Sequence, residues 1–121
     1  MAFTPGASMG VSNGTTDVTI VAAPAADIAR TVRHISVYNA DTASATITIK
    51  LDKAATERRI VVQALTTLQM WTNKSGVNGN LIGAFDLLVL DDTDEVVQLV
   101  LGGAVTTNEL EWVTCYADEA I

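Results

Sequence analysis

A chain of 121 residues with 14 acidic and seven basic side chains, net charge −7, is poorly built to neutralise phosphates or to dock on anionic lipid. Hydrophobic residues make up 49% of it and aromatics only 5%, so its core is one of Val, Ile, Leu and Ala, and β-branched side chains favour pleated sheet. Cys115 is the only cysteine, which excludes an internal disulfide, and no stretch approaches the ~20 apolar residues of a membrane-spanning helix.

Residues 1–14 are small, polar and glycine-rich, with Pro5, Gly6, Gly10 and Gly14. They predict an arm, either disordered or laid over a neighbour, with Phe3 and Met9 as its apolar anchors. The stretch has neither a basic region nor an apolar run, so it does not read as a signal peptide. A single β domain is expected over residues 15–121. Its first strand is Thr15 to Ala22, closed by Pro24, which cannot donate to a ladder.

Residues 32–51 are the centre of the sequence. Ile35 and Val37 alternate with His34 and Ser36, and Ile47, Ile49 and Leu51 alternate with Thr46, Thr48 and Lys50. The residues between them, Asn39 to Ser44, bond their own backbone readily, so the stretch predicts a hairpin. Asp52 to Ala55 reads as the next turn, then Thr56 to Gln63 as a strand and Leu68 to Trp71 as a short one. Asn73 to Gly83 is irregular and rich in Gly and Asn, and it carries Leu81 and Ile82, two apolar residues suited to partner contact. Strands follow at Ala84 to Leu90, Glu95 to Leu101 and Glu109 to Tyr116, with an acidic turn at Asp91 to Asp94. About eight short strands at this spacing, without helical periodicity, predict an all-β antiparallel sandwich or jelly roll.

Signals for chemistry are weak. His34 is the only histidine, and no orienting carboxylate or nucleophile lies near it in sequence. Cys115 is expected inside, as a small buried hydrophobe. The run Asp91-Asp92-Thr93-Asp94-Glu95 is the best place for Ca²⁺, yet it lacks the glycine and the distal glutamate of an EF-hand loop, and solvated acidic turns are commoner. Trp71 and Trp112 are expected in packing rather than as a sugar platform. No catalytic, cofactor or metal residues are assigned, and no cofactor is expected.

The strand and turn order resembles that of small tailed-phage virion proteins. The matching residues are Asn39, Asp41, Thr42 and Ala43 in one turn, and Leu90, Asp91, Asp94 and Val96 at a later strand entry. The likeness extends over about residues 31–116. It implies a β-sandwich that decorates or cements a capsid, with a tail or neck component as the alternative. It also implies self-association as a trimer or higher ring, contact with a major capsid protein, and residence in the virion after synthesis in the host cytoplasm. A carbohydrate-binding module of a fibre is a further alternative and requires exposed aromatics. On this reading Phe3, Met9, Leu81 and Ile82 are the candidate interface residues.

Overall fold

The computed structural model describes residues 3–77 and 88–121. Ten strands run in chain order: β1 Thr4–Ser12, β2 Val18–Val21, β3 Ile28–Tyr38, β4 Ala45–Lys53, β5 Thr56–Leu65, β6 Met70–Thr72, β7 Gly76–Val77, β8 Leu88–Leu90, β9 Glu95–Leu101 and β10 Leu110–Ala120. They form two antiparallel sheets. One runs β1-β10-β3-β6-β7, with β8 also on β3, and the other β2-β9-β4-β5. With β6 and β8 sharing one flank of β3, this is the strand order of a jelly roll, in which the chain passes repeatedly from one sheet to the other. The all-β sandwich is therefore as expected.

Two local expectations change. The glycine-rich start is not an arm: residues 4–12 form β1 and pair along β10 from Thr4↔Asp118 to Ser12↔Leu110. The glycines that suggested disorder make room for aromatic rings. A Cβ added at Gly6 would stand 2.5 Å from the Tyr116 ring, and one at Gly10 would stand 2.7 Å from the Trp112 ring. The predicted hairpin at 32–51 is likewise not a hairpin, because β3 and β4 lie in different sheets. Of the expected strand 84–90, only Leu88–Leu90 is among the described residues.

The turn at 39–44 carries the chain across the sandwich. Asn39 and Asp41 are buried, and both spend their side chains on neighbouring loops. Asn39 Nδ2 donates to the carbonyls of Ala43 and Leu65, each at 3.0 Å. The Asp41 carboxylate accepts N–H groups from Thr42, Thr106 and Thr107 at 2.8 Å each, and from Asn108 at 3.1 Å. The Thr67 hydroxyl donates to the Asp41 carbonyl. A polar turn that holds two other loops is fixed by them, so it cannot close a local hairpin. The hydrogen bond from Thr106 leads those that pull the Asp41 carboxyl from 3.8 to about 2.

The true hairpin is β4–β5, whose partners run from Ala45↔Leu65 to Lys53↔Thr56. Its two-residue turn, Ala54-Ala55, has φ of 52° and 65°. Both residues are left-handed, the conformation that suits Asn-Gly and costs alanine ~1 kcal/mol or more apiece. The double replacement Ala54→Asn with Ala55→Gly is expected to raise stability by about 1–2 kcal/mol in denaturant titration.

Between the sheets lies an apolar core. Ile20, Val32, Ile35 and Val37 pack with Ile47, Ile49, Leu65, Trp71, Leu99 and Leu110. Along β9 the burial alternates strictly, with Val97, Leu99 and Leu101 inside and Val96, Gln98 and Val100 half-buried. That is the period-two pattern read in the sequence.

Candidate interaction surface

Residues that face one another across an antiparallel ladder point to the same side of the sheet. On the β1-β10-β3 sheet, Ile35, Val37, Leu110 and Trp112 face the core, so the alternate residues form the outer face. The register orders that face in rows across the strands. The first is Val11–Glu111–Tyr38–Met70 and the second Met9–Val113–Ser36–Thr72. Then come Ala7–Cys115–His34 and Pro5–Ala117–Thr31–Val89. A register shift between Cys115 and Tyr116 leaves Arg33 as the extra residue on β3, and a bulge of this kind turns Arg33 to the same side as His34.

The composition of this face is unusual for a surface. Met9 is 80% exposed and Val89 52%, and Val11, Met70 and Val113 are exposed as well. Small residues, Pro5, Ala7 and Ser36, fill the rows between them. In those rows and at the bulge the described acidic and basic side chains are Glu111, Arg33 and His34, and Glu119, opposite Ala29, follows in the next row. Isolated exposed apolar side chains are ordinary, whereas a set gathered on one face from four strands marks a contact surface. A shallow depression of about 460 Å³ lies on it, lined by Pro5, Gly6, Ala7, Arg33, Cys115, Tyr116 and Ala117. Phe3 borders it, its ring 5.5 Å from the Arg33 guanidinium.

Of the four expected interface residues, Met9 stands in the second row of this face and Phe3 at its border. Leu81 and Ile82 lie outside the described residues. Val11, Met70, Val89 and Val113 were not singled out in the sequence. The signal that finds them is the cross-strand register, which no single strand's alternation contains.

The end of the sheet beyond the depression is locked by charge. Arg30 Nε and Nη2 meet the two Asp118 carboxylate oxygens at 2.8 and 2.9 Å, and Nη1 donates to the Ala22 carbonyl at 2.9 Å. The guanidinium lies 4.1 Å over the Tyr116 ring. The Arg30 hydrogen bond holds the Asp118 carboxyl below the usual carboxylate range, against the opposing effect of burial. A forked pair of this kind fixes β3 against β10.

The opposite sheet presents a different surface. Lys50, Lys53, Arg58 and Arg59, four of the seven basic residues, sit on β4 and β5. Burial works against the Lys50 charge, but Asp17 and Glu57, each 3.0 Å from Nζ, hold the ammonium above its usual range. Lys53 lies 3.6 Å from Asp92. Charged side chains on an exposed edge strand such as β5 discourage further strand pairing.

His34 and Cys115 are direct neighbours across β3 and β10, although 81 positions separate them by their numbers. Cys115 is half-buried on the outer face rather than inside as expected. The pair sits on an open sheet face, and no group of three or more His, Cys, Asp or Glu residues able to hold a metal forms among the described residues. In the acidic turn, Glu95 is buried and its Oε1 accepts the Asp91 N–H at 3.0 Å, while the Asp92 and Asp94 carbonyls accept N–H groups from Glu95 and Ala54. The Glu95 carboxylate is thus engaged with backbone and that of Asp92 with Lys53. Trp71 is fully buried and Trp112 is 7% exposed, so neither ring is offered to a sugar.

No protein-family model matches the chain, and no curated protein matches it in sequence. Two solved structures are similar to it in fold. One is a subunit of Bacillus endospore appendages, described as disulfide-linked pili. The match has a TM-score of 0.52 and 11% identity, over 98% of this chain and 88% of that one. The other is from infectious bursal disease virus, Gx strain, with a TM-score of 0.49 and 10% identity. It covers 98% of this chain and 33% of the viral one. At such identity the pilus subunit bears on the fold alone, and it agrees with the two-sheet architecture.

Proposed function

We propose that this protein is a structural subunit of a virion that works by packing against other subunits, and that it decorates or cements the head lattice of a tailed bacteriophage. The observation that carries this reading is the outer face of the β1-β10-β3 sheet. Five exposed apolar residues, Met9, Val11, Met70, Val89 and Val113, stand there on four strands, β1, β6, β8 and β10. Water is a poor covering for such a surface, and another protein is a good one.

Three further points support it. The turns at 39–43 and 90–96 resemble those of small tailed-phage virion proteins. Jelly rolls recur in viral capsids, although fold by itself does not determine function. A pilus subunit, itself part of an assembly, shares the fold. His34 and Cys115 lie on an open face, and among the described residues no hydrogen bond or ion pair joins His34 to a carboxylate, which favours a structural role over catalysis.

The test is reconstitution. Purified protein mixed with phage heads lacking it is expected to co-sediment with them at micromolar concentration and to raise the temperature at which they rupture. Heads that leave all the protein in the supernatant would refute the decorating role.

A further inference from the structure

We infer that two copies of this chain join at β1. Its free edge pairs antiparallel with β1 of the second copy, about a two-fold axis at Ser8, and makes one sheet continuous across both. This self-association stands apart from the virion role, on the edge of a sheet and not on its face.

A sheet edge is a row of unpaired N–H and C=O groups, and proteins guard such rows with charge, shortness or a cover. β5 carries Glu57, Arg58 and Arg59, β2 has four residues and β7 has two. β1 has nine residues, none of them charged, and pairs with β10 without a register shift. Among the described residues no hydrogen bond reaches its other side. The direction of its backbone groups follows from the sheet. Ile35 turns its N–H and C=O to Asn73, on the side of β6, so Ser36 turns its own to its partner Val113 on β10. Thr114 then bonds to β1, at Ser8. The alternate residues Pro5, Ala7, Met9 and Val11 therefore direct their backbone groups to the free edge. Pro5, which has no N–H, stands where β10 does not need one.

Size selects the occupant. Facing residues of a continuous sheet point to one side, so an axis at Ser8 sets Ala7 opposite Met9, Pro5 opposite Val11 and Gly6 opposite Gly10. Each large side chain of the outer face, Met9 at 80% exposed and Val11 at 47%, then meets a small one. Moving the axis to Met9 sets Met9 on Met9 and shortens the ladder. With the axis at Ser8, Ala7 and Met9 exchange both their hydrogen bonds, and Val11 gives its N–H to the Pro5 carbonyl. Every contact forms twice, as an isologous interface requires, and the assembly closes at two because each copy has one β1. Charge on these strands does not oppose it. Glu111 of one copy and Asp118 of the other stand three strand spacings apart, ~14 Å, beyond the ~8 Å screening length of physiological salt. Asp118 is also paired with Arg30.

Light scattering behind size-exclusion chromatography, with the full chain at about 100 µM, is expected to give twice the 12.7 kDa of one chain. Met9→Pro removes an N–H from the free edge and none from the β10 ladder. It is expected to weaken pairing by at least about tenfold, with the melting temperature reporting whether the fold is kept. Cross-linking decides the register even if that variant unfolds. In a Cys115→Ser background, Ser8→Cys meets itself on the axis with Cα atoms ~4.5 Å apart, within disulfide reach. It is expected to give a disulfide-linked dimer under mild oxidation. Val11→Cys, whose two copies stand ~20 Å apart in this register, is expected to run as a monomer on a denaturing gel. A wild-type monomer, a dimer indifferent to a folded Met9→Pro, or Ser8→Cys linked no faster than Val11→Cys overturns the inference. A foreign strand as the true occupant gives the first of these results. A monomer that binds phage heads overturns only the pairing, and a dimer that ignores them overturns only the virion role.

Discussion

Asp41→Ala is expected to lower the melting temperature by on the order of 10 °C or more, since it strands four backbone N–H groups in a buried place. Those groups belong to Thr42, Thr106, Thr107 and Asn108. The turn they surround is the passage from β3 in one sheet to β4 in the other, so its loss frees two loops at once. Asp41→Asn is expected to cost about half as much. Its oxygen can keep the bonds made by Oδ1, while its amide group meets the Thr106 N–H as donor against donor. Thermal unfolding followed by circular dichroism measures both.

The same residue predicts a pH dependence. Its carboxyl falls from 3.8 to about 2 in the folded protein, so the folded state favours the ionised form. Its contribution to stability is complete above pH ~4, the unfolded value, and is lost as pH falls towards ~2. Wild type is therefore expected to lose melting temperature steeply across that window, and Asp41→Asn to lose less. Asp118, held low by Arg30, keeps its own share of the acid loss in both proteins. Parallel curves for the two proteins would show that Asp41 contributes nothing to it.

Trp71→Ala is expected to cost about 3–5 kcal/mol, the usual toll for emptying a buried aromatic site. Trp71 is the largest of the fully buried side chains. It stands on β6, which has only three residues and pairs with both β3 and β7. A strand so short has few hydrogen bonds of its own, and the indole burial is what anchors it. Next to it the buried Asn73 accepts the Ile35 N–H on Oδ1 at 2.8 Å and donates its own N–H to the Ile35 carbonyl at 3.0 Å. The cavity is thus expected to loosen β6 and β7 before the opposite sheet. Hydrogen exchange should show protection lost first at Thr72 and Val77, with β9 kept. Trp71→Phe fills most of the volume and is expected to cost roughly half as much. Urea unfolding gives the magnitudes.

What the sequence alone determined is what local patterning can carry. Alternation in Ile47-Thr48-Ile49 and in Val97-Gln98-Leu99 shows strand and inward face, because side chains on a strand change sides at every residue. The low aromatic content and the turn residues between strands gave the class of fold for the same reason. Tertiary structure alone decided which strands are neighbours. Asn39 to Ser44 has every local mark of a hairpin turn, and only the loops bonded to Asp41 send the chain to the other sheet. Gly6 and Gly10 read as looseness until Tyr116 and Trp112 are laid against them. The exposed set Met9, Val113, Val11, Met70 and Val89 is assembled from four strands across most of the chain. A surface of that kind is written in the register between strands, and register comes from packing the whole core at once.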